Sequence, residues 1–203
     1  MKVGMIFESG PQGAERQVCE YLAKRIRPGI VIVPVAHRNK PEMIADCGKD
    51  VAQLLRERCH RILIIWDLFP PWRKRGEQPC RKEDRKAILK SLEQAGMRNA
   101  PVFLLCIREE LEAWLLADGR ALSTVLSTEA HPVRVQSERY PDHVTDPKGR
   151  LKRIFREKRQ GKYNDLVHAI KIIQKLPDLD HLRRSESYRR FEEKLKIGTH
   201  PIY

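Results

Sequence analysis

The chain lacks the spacings that mark common metal and redox sites. Its five cysteines, Cys19, Cys47, Cys59, Cys80 and Cys106, include no C-x-x-C pair, and its seven histidines show neither H-x-x-x-H nor H-E-x-x-H. Those absences exclude the familiar zinc patterns, and an odd, scattered cysteine count argues against a disulfide framework. Cys19, Cys59 and Cys106 stand among apolar neighbours and read as small core residues. No apolar run reaches spanning length, and MKVGMIFESG is too poor in apolar residues for a secretory leader. The expectation is a cytoplasmic protein with no membrane contact. Glycine-rich phosphate fingerprints are also missing, since ESGPQGAE fits neither G-x-x-x-x-G-K-[ST] nor G-x-G-x-x-G. Ser9 has no identifiable His/Asp companions, which argues against a nucleophilic serine. There is no internal repeat and no low-complexity tract.

What is abundant is positive charge. The 203 residues carry 40 Lys and Arg against 27 Asp and Glu, a formal net charge of +13. Such an excess favours a polyanionic partner, most often nucleic acid, although charge speaks to association and not to fold. The length suits one domain with a real core.

Short apolar runs alternate with helical patterns. Lys2–Phe7, Ile30–Val35, Arg61–Trp66 and Val102–Ile107 read as strands. Pro34 cannot donate to a ladder and places the second run at a sheet edge. The near-continuous apolar run Arg61–Trp66 suits a strand buried on both faces. Helical patterns cover about Gly13–Arg27, Lys40–Arg58 and Lys82–Ala95, with Leu111, Trp114 and Leu115 starting another. Crossovers of this length favour parallel strands with right-handed connections. Asp118 is expected to cap a segment over Gly119–Leu126. Beyond it, 127–145 is polar and irregular. Asp146-Pro147 then opens a helix as cap and first helical residue. Further helices are expected over Tyr163–Leu176, with Leu166, Ile170 and Ile173 inward, and over Glu186–Leu195. The fold class is thus α/β, a mainly parallel central sheet flanked by helices, over residues 1–126. A C-terminal helical extension over 127–203 packs on the same unit.

The acids are placed in a pattern. Three expected strands end on carboxylates: Phe7 runs into Glu8, Trp66 into Asp67, and Ile107 into Glu109, Glu110 and Glu112. A parallel sheet brings those ends to one edge, where α/β proteins bind ligands. Converging carboxylate oxygens suit a hard cation such as Mg²⁺ or Mn²⁺, and a divalent ion in a basic setting suits phosphodiester chemistry. Each acid has a plainer role open to it. Glu8 could cap the next helix, and Glu109, Glu110 and Glu112 could answer a helix dipole. Residues i and i+2 do not share a helix face. Either Glu110 belongs to the strand-to-helix junction, or only one of Glu110 and Glu112 points into a site. Trp72, Arg73, Lys74 and Arg75 combine an aromatic with cations and could grip a nucleic acid, as could Lys148 and Arg153 among the C-terminal basic residues. A solvated surface is the alternative for both groups.

Taken together, FESGPQGAE with Glu8 and RILIIWD with Asp67 resemble the Toprim domain shared by topoisomerases, primases and the overcoming-lysogenization-defect nucleases. A closer resemblance is to an uncharacterised Toprim-like family often encoded beside ATPases in bacterial defence-type gene clusters. It rests on Glu110-Leu-Glu112-Ala-Trp114-Leu-Leu-Ala-Asp118, on Asp146-Pro-Lys148 with Leu151 and Tyr163, and on Ser187-Tyr-Arg-Arg-Phe191. The resemblance implies a Toprim-like fold and a nuclease acting on DNA or RNA in antiviral defence. It implies Glu8, Asp67, Glu110 and Glu112 as catalytic residues, Glu8, Asp67 and Glu112 as metal ligands, and an ATPase partner; a homo-oligomer is a separate expectation. One departure stands out: the Toprim Asp-x-Asp would need an acid at position 69, where this chain has Phe69. The alternative is therefore a catalytically degenerate nucleic-acid-binding or regulatory subunit. Phosphate chemistry on a small substrate is a third expectation.

Overall fold

The structure, a computed structural model, describes residues 1–71, 78–158 and 161–196. Strands form where the apolar runs predict them: β1 over Lys2–Phe7, β2 over Val31–Ala36, β3 over Arg61–Asp67 and β4 over Val102–Ile107. All are parallel, in the order β2-β1-β3-β4. β2 lies at an edge, where Pro34 leaves no central ladder unsatisfied. Every residue of β3 is buried, as its run of β-branched and aliphatic side chains between two covered faces demands.

Helices α1 (Ala14–Ile26), α2 (Lys40–Arg56) and α3 (Arg81–Gln94) make the crossovers. The strand residues alternate between two cores. Val3, Met5, Phe7, Leu63 and Ile65 face α1, while Ile6, Ile62, Ile64 and Trp66 face α2 and α3. This split follows from handedness. The chain steps from β1 outward to β2, then back across β1 to β3 and on to β4. Right-handed crossovers in opposite directions put α1 on one face and α2 and α3 on the other.

The rest of the described chain packs on the α1 face. It comprises α4 (Glu112–Leu116), α5 (Gly119–Leu126), α6 (Pro147–Glu157), α7 (Asp165–Gln174) and α8 (Glu186–Leu195). The expected caps are in place: Asp118 accepts from the Arg120 N–H and Asp146 from the Gly149 N–H. Trp114 is fully buried, its Nε1–H donating to Ser187 Oγ at 2.8 Å. Its ring meets Tyr188 edge-on at 5.4 Å and lies 5.6 Å from Phe191. The Glu110–Asp118 string and the Ser187–Phe191 string are therefore two halves of one packed contact. At the opposite end of the sheet, buried Arg61 donates to the carbonyls of Lys194 and Lys196, holding the end of α8 against the start of β3. Its guanidinium also lies 4.6 Å over the Phe103 ring.

One local expectation needs correction. Leu166 does not face inward but is half-exposed at the rim of a cleft, and Ile170 is only partly buried; Ile173 is buried as expected, together with Ala169 and Ile172. The apolar spacing admitted two neighbouring stripes, and packing against α1 selected the more C-terminal one. The helical pattern after Leu111 forms as expected, as the short helix α4, with Leu111, Trp114 and Leu115 all buried. Among the described residues, no helix is long and apolar enough to cross a membrane.

Candidate active site

The order β2-β1-β3-β4 reverses direction between β1 and β3, which opens a crevice at their carboxyl ends. Phe7 pairs with Ile65, so Glu8 comes level with the end of β3, where Asp67 stands. The two acids touch through the backbone: Glu8 Oε1 accepts from the Asp67 N–H at 2.9 Å. Asp67 Oδ2 in turn accepts from the Leu111 N–H at 3.2 Å, which fixes the entry to α4. The remaining oxygens, Glu8 Oε2 and Asp67 Oδ1, are buried with no hydrogen-bond partner, as is Ser9 Oγ beside them.

These acids floor a cleft of about 670 Å³. The Ser9–Glu15 turn into α1, the start of α2, Phe69–Pro71, Glu110, Glu112 and the starts of α6 and α7 form its walls. Gly13 is required at that turn, because a Cβ there would meet Ser9 Oγ at 2.1 Å. Glu110 precedes α4 and Glu112 begins it, so the first alternative for this pair holds: the junction lets both line the cleft. Glu109 adopts a left-handed φ of +61°, rare for a residue with a Cβ. Its carbonyl accepts from Phe69 N–H at 2.9 Å, and its side chain turns from this cleft to a neighbouring one.

Cations balance the acids only in part. Glu8, Glu15, Asp67, Glu110, Glu112 and Asp165 share the cleft with Arg38, Lys40 and Lys148. Lys40 is buried, 3.8 Å from Glu8 Oε2, and donates to the carbonyls of Leu68 at 3.0 Å and Pro70 at 2.9 Å. Lys148 donates to Asp165 and lies 3.8 Å from Glu112 Oε1, which also accepts from Tyr163 O–H at 3.2 Å. Burial pushes the Glu8 and Asp67 carboxyls well above the usual range. Lys40 and a backbone N–H oppose the rise at Glu8, while the Glu15, Glu8 and Glu112 charges add to it at Asp67. Burial pushes Glu112 up to about 7 against the pull of Lys148, and raises Glu110 in the same way. The site is a set of desolvated carboxylates short of positive charge, an arrangement typical of functional centres.

The expected residues divide clearly. Glu8, Asp67, Glu110 and Glu112 all line this one cleft, and Lys148 joins them as a partner of carboxylates. Arg153 is exposed on α6 and does not line the cleft. Trp72, Arg73, Lys74 and Arg75 lie outside the described residues. Among the described residues, no three His, Cys, Asp or Glu side chains form a set able to hold a metal ion, so Glu8, Asp67 and Glu112 do not close as a triad. Lys40 and Asp165 were not singled out from the sequence. Lys40 had a signal, since it stands on the stripe of Ile44, Cys47, Gly48 and Val51 that α2 buries.

A family profile, that of the domain of unknown function DUF4276, matches residues 12–196. The chain belongs to the DUF4276 family. No curated protein and no solved structure matches it. The DUF4276 match takes in Asp67, Glu110, Glu112 and Lys148 and begins just after Glu8.

Proposed function

We propose that this DUF4276 protein is a divalent-cation-dependent nuclease, cleaving phosphodiester bonds in DNA or RNA. The observation that carries the reading is two buried carboxylate oxygens without a hydrogen-bond partner, Glu8 Oε2, which has only Lys40 at 3.8 Å, and Asp67 Oδ1, on acids that meet at the crevice. Two such oxygens in a low-dielectric site call for protons or a cation. Their number also fits. Mg²⁺ is commonly held through one or two carboxylates, with water and substrate phosphate filling its shell, and needs no full protein cage. Glu8 and Asp67 would hold Mg²⁺ or Mn²⁺ in this reading, with Glu112 and Glu110 facing the same space. The ion would supply a Lewis acid for the phosphoryl group and lower the pKa of a water.

The chain's own groups divide the remaining work. Glu112, with a carboxyl near neutrality, is suited to accept a proton from an attacking water. Tyr163 and Lys148 orient it. Lys40 holds the backbone after β3 in place against Glu8. A Toprim kinship, a cytoplasmic location, an ATPase partner and self-association belong to the same proposal.

The test is cleavage of DNA and tRNA with Mg²⁺ and with Mn²⁺, alone and with any ATPase encoded beside it. Glu8→Ala and Asp67→Ala are expected to abolish cutting; cutting at the wild-type rate by both would sink the site. Phe69 at the place of a second Toprim acid favours a second reading, a degenerate nucleic-acid-binding subunit. That reading predicts salt-sensitive binding without cation-dependent cleavage.

A further inference from the structure

The carboxylates account for the floor of the cleft but not for its walls. Most of the surface the cleft presents is apolar, contributed by Pro11, Pro41, Phe69, Pro70, Pro71 and Leu166. Pro11, Pro41, Pro70 and Leu166 are exposed, and Phe69 and Pro71 are half-buried. A metal ion and a phosphate gain nothing from such a surface; a flat apolar group does.

One wall is also held still. Leu68 and Phe69 donate their N–H groups to the carbonyls of Ile107 and Glu109, each at 2.9 Å. From the other side, buried Lys40 donates to the carbonyls of Leu68 and Pro70. The three residues that follow Asp67 are thus tied both to the end of β4 and to the start of α2. A face fixed in advance loses little freedom when a partner stacks on it.

A nucleobase is such a partner, with two flat apolar faces joined through a sugar to a phosphate. In a duplex those faces are covered by neighbouring pairs; in a single strand they are free to stack on a protein. The size of the cleft agrees. Its volume of about 670 Å³ falls within the roughly 300–1,000 Å³ of sites that enclose one small ligand. Asp67 and Glu112 at its floor are buried, so a scissile phosphate must enter together with its nucleotide.

Resting on the nuclease reading above, we infer that the substrate is single-stranded nucleic acid, and that Phe69, with Pro70 and Pro71 beside it, is the platform on which the base next to the scissile phosphate stacks. Enzymes that work on one nucleotide take its base out of the stack and hold it against aromatic and apolar side chains. An aromatic residue at position 69 then serves substrate choice, because a duplex offers phosphates but no free base.

The test is the anisotropy of short fluorescein-labelled oligothymidylate and oligouridylate, at one fixed salt concentration, with Ca²⁺ in place of Mg²⁺ to keep the strands intact. The comparisons are an abasic strand of the same length, which keeps the phosphates and lacks the bases, and the same sequence as a duplex. The wild type should prefer the single strand over both by about fivefold to a hundredfold, the range that one stacked base contributes. Phe69→Ala and Phe69→Leu should bind normal and abasic strands alike, while Phe69→Tyr keeps the preference. A purely structural role for Phe69 would weaken both strands equally. Equal affinity of the wild type for normal and abasic strands, tighter binding of the duplex, or a preference intact in either ring-less variant overturns the platform. Displacement of the strand by an equal concentration of thymidine monophosphate overturns a strand as the occupant in favour of a free nucleotide. Hydrolysis of bis-para-nitrophenyl phosphate by the wild type with Mn²⁺ is measured separately. Its absence counts against the carboxylate reading, whereas a missing base preference counts against the platform alone.

Discussion

Two buried polar clusters lie on either side of α4, and they are built on opposite rules. Around Trp114, polar atoms find partners: its indole N–H meets Ser187, Ser187 meets Ser185 at 2.9 Å, and Asp142 takes two backbone N–H groups. Around Glu8 and Asp67, carboxylate oxygens are desolvated and left over. A satisfied network rigidifies the fold, and removing a member leaves another group unpaired. An unsatisfied one costs stability and persists where binding or chemistry requires it. The same burial therefore reads as architecture in one place and as a site in the other.

Substitutions should separate the two. The largest effect is expected at Trp114→Ala, a loss of roughly 3–5 kcal/mol with Ser187 left without its donor; urea denaturation followed by circular dichroism reads it. Asp142→Ala should cost about 2–3 kcal/mol, because the N–H groups of Glu186 and Ser187 lose their acceptor. Asp67→Asn should do the reverse. Without cation in EDTA, and above about pH 8 where Glu8 gives up its proton, it should raise the melting temperature, since a buried like-charge pair is relieved, while cleavage is lost. A lower melting temperature for this variant would break the contrast.

Acidity sharpens it further. Folded Glu112 holds its proton up to about pH 7, against an ordinary value of 4.5. Between those values the unfolded chain gives up a proton that the folded chain keeps. The stability of the cation-free protein should therefore fall as pH rises from about 4.5 to 7, by on the order of 3 kcal/mol, and level off above. Glu8 and Asp67 act in the same direction. Glu112→Gln should flatten that slope in a series of melts across pH. The smallest effect is expected at Tyr188→Phe. Tyr188 O–H is the exception in the Trp114 cluster, buried with no partner, so its removal should change stability by less than about 1 kcal/mol.

Much of this was readable from residue order, because the features are local. Strand runs, the caps at Asp118 and Asp146 and the edge position implied by Pro34 depend on neighbours in sequence, and all are present. The gathering of Glu8, Asp67, Glu110 and Glu112 followed from parallel strands ending together. What was not readable is set by long-range packing. The strand order, which puts Glu8 beside Asp67, is a choice of crossover direction that no local pattern encodes. Tyr163 meets Glu112 only because α6 and α7 fold over α4. Leu166 shows the same limit, since its exposure depends on which stripe α1 accepts. Glu109 carries no mark of its left-handed backbone, which goes with a carbonyl bonded by the distant Phe69 N–H.

The hold of Arg61 on the end of α8 bears on the order of assembly during synthesis. Its partner carbonyl at Lys196 is 135 residues away in sequence. The closing contact of the central strand thus waits for almost the whole described chain, and contacts of such separation slow folding. Until α8 arrives, Trp114 and the α1 face of the sheet lack part of their cover. A nascent chain stopped near residue 126 would present that apolar face to its surroundings, a surface that chaperones bind and that promotes aggregation.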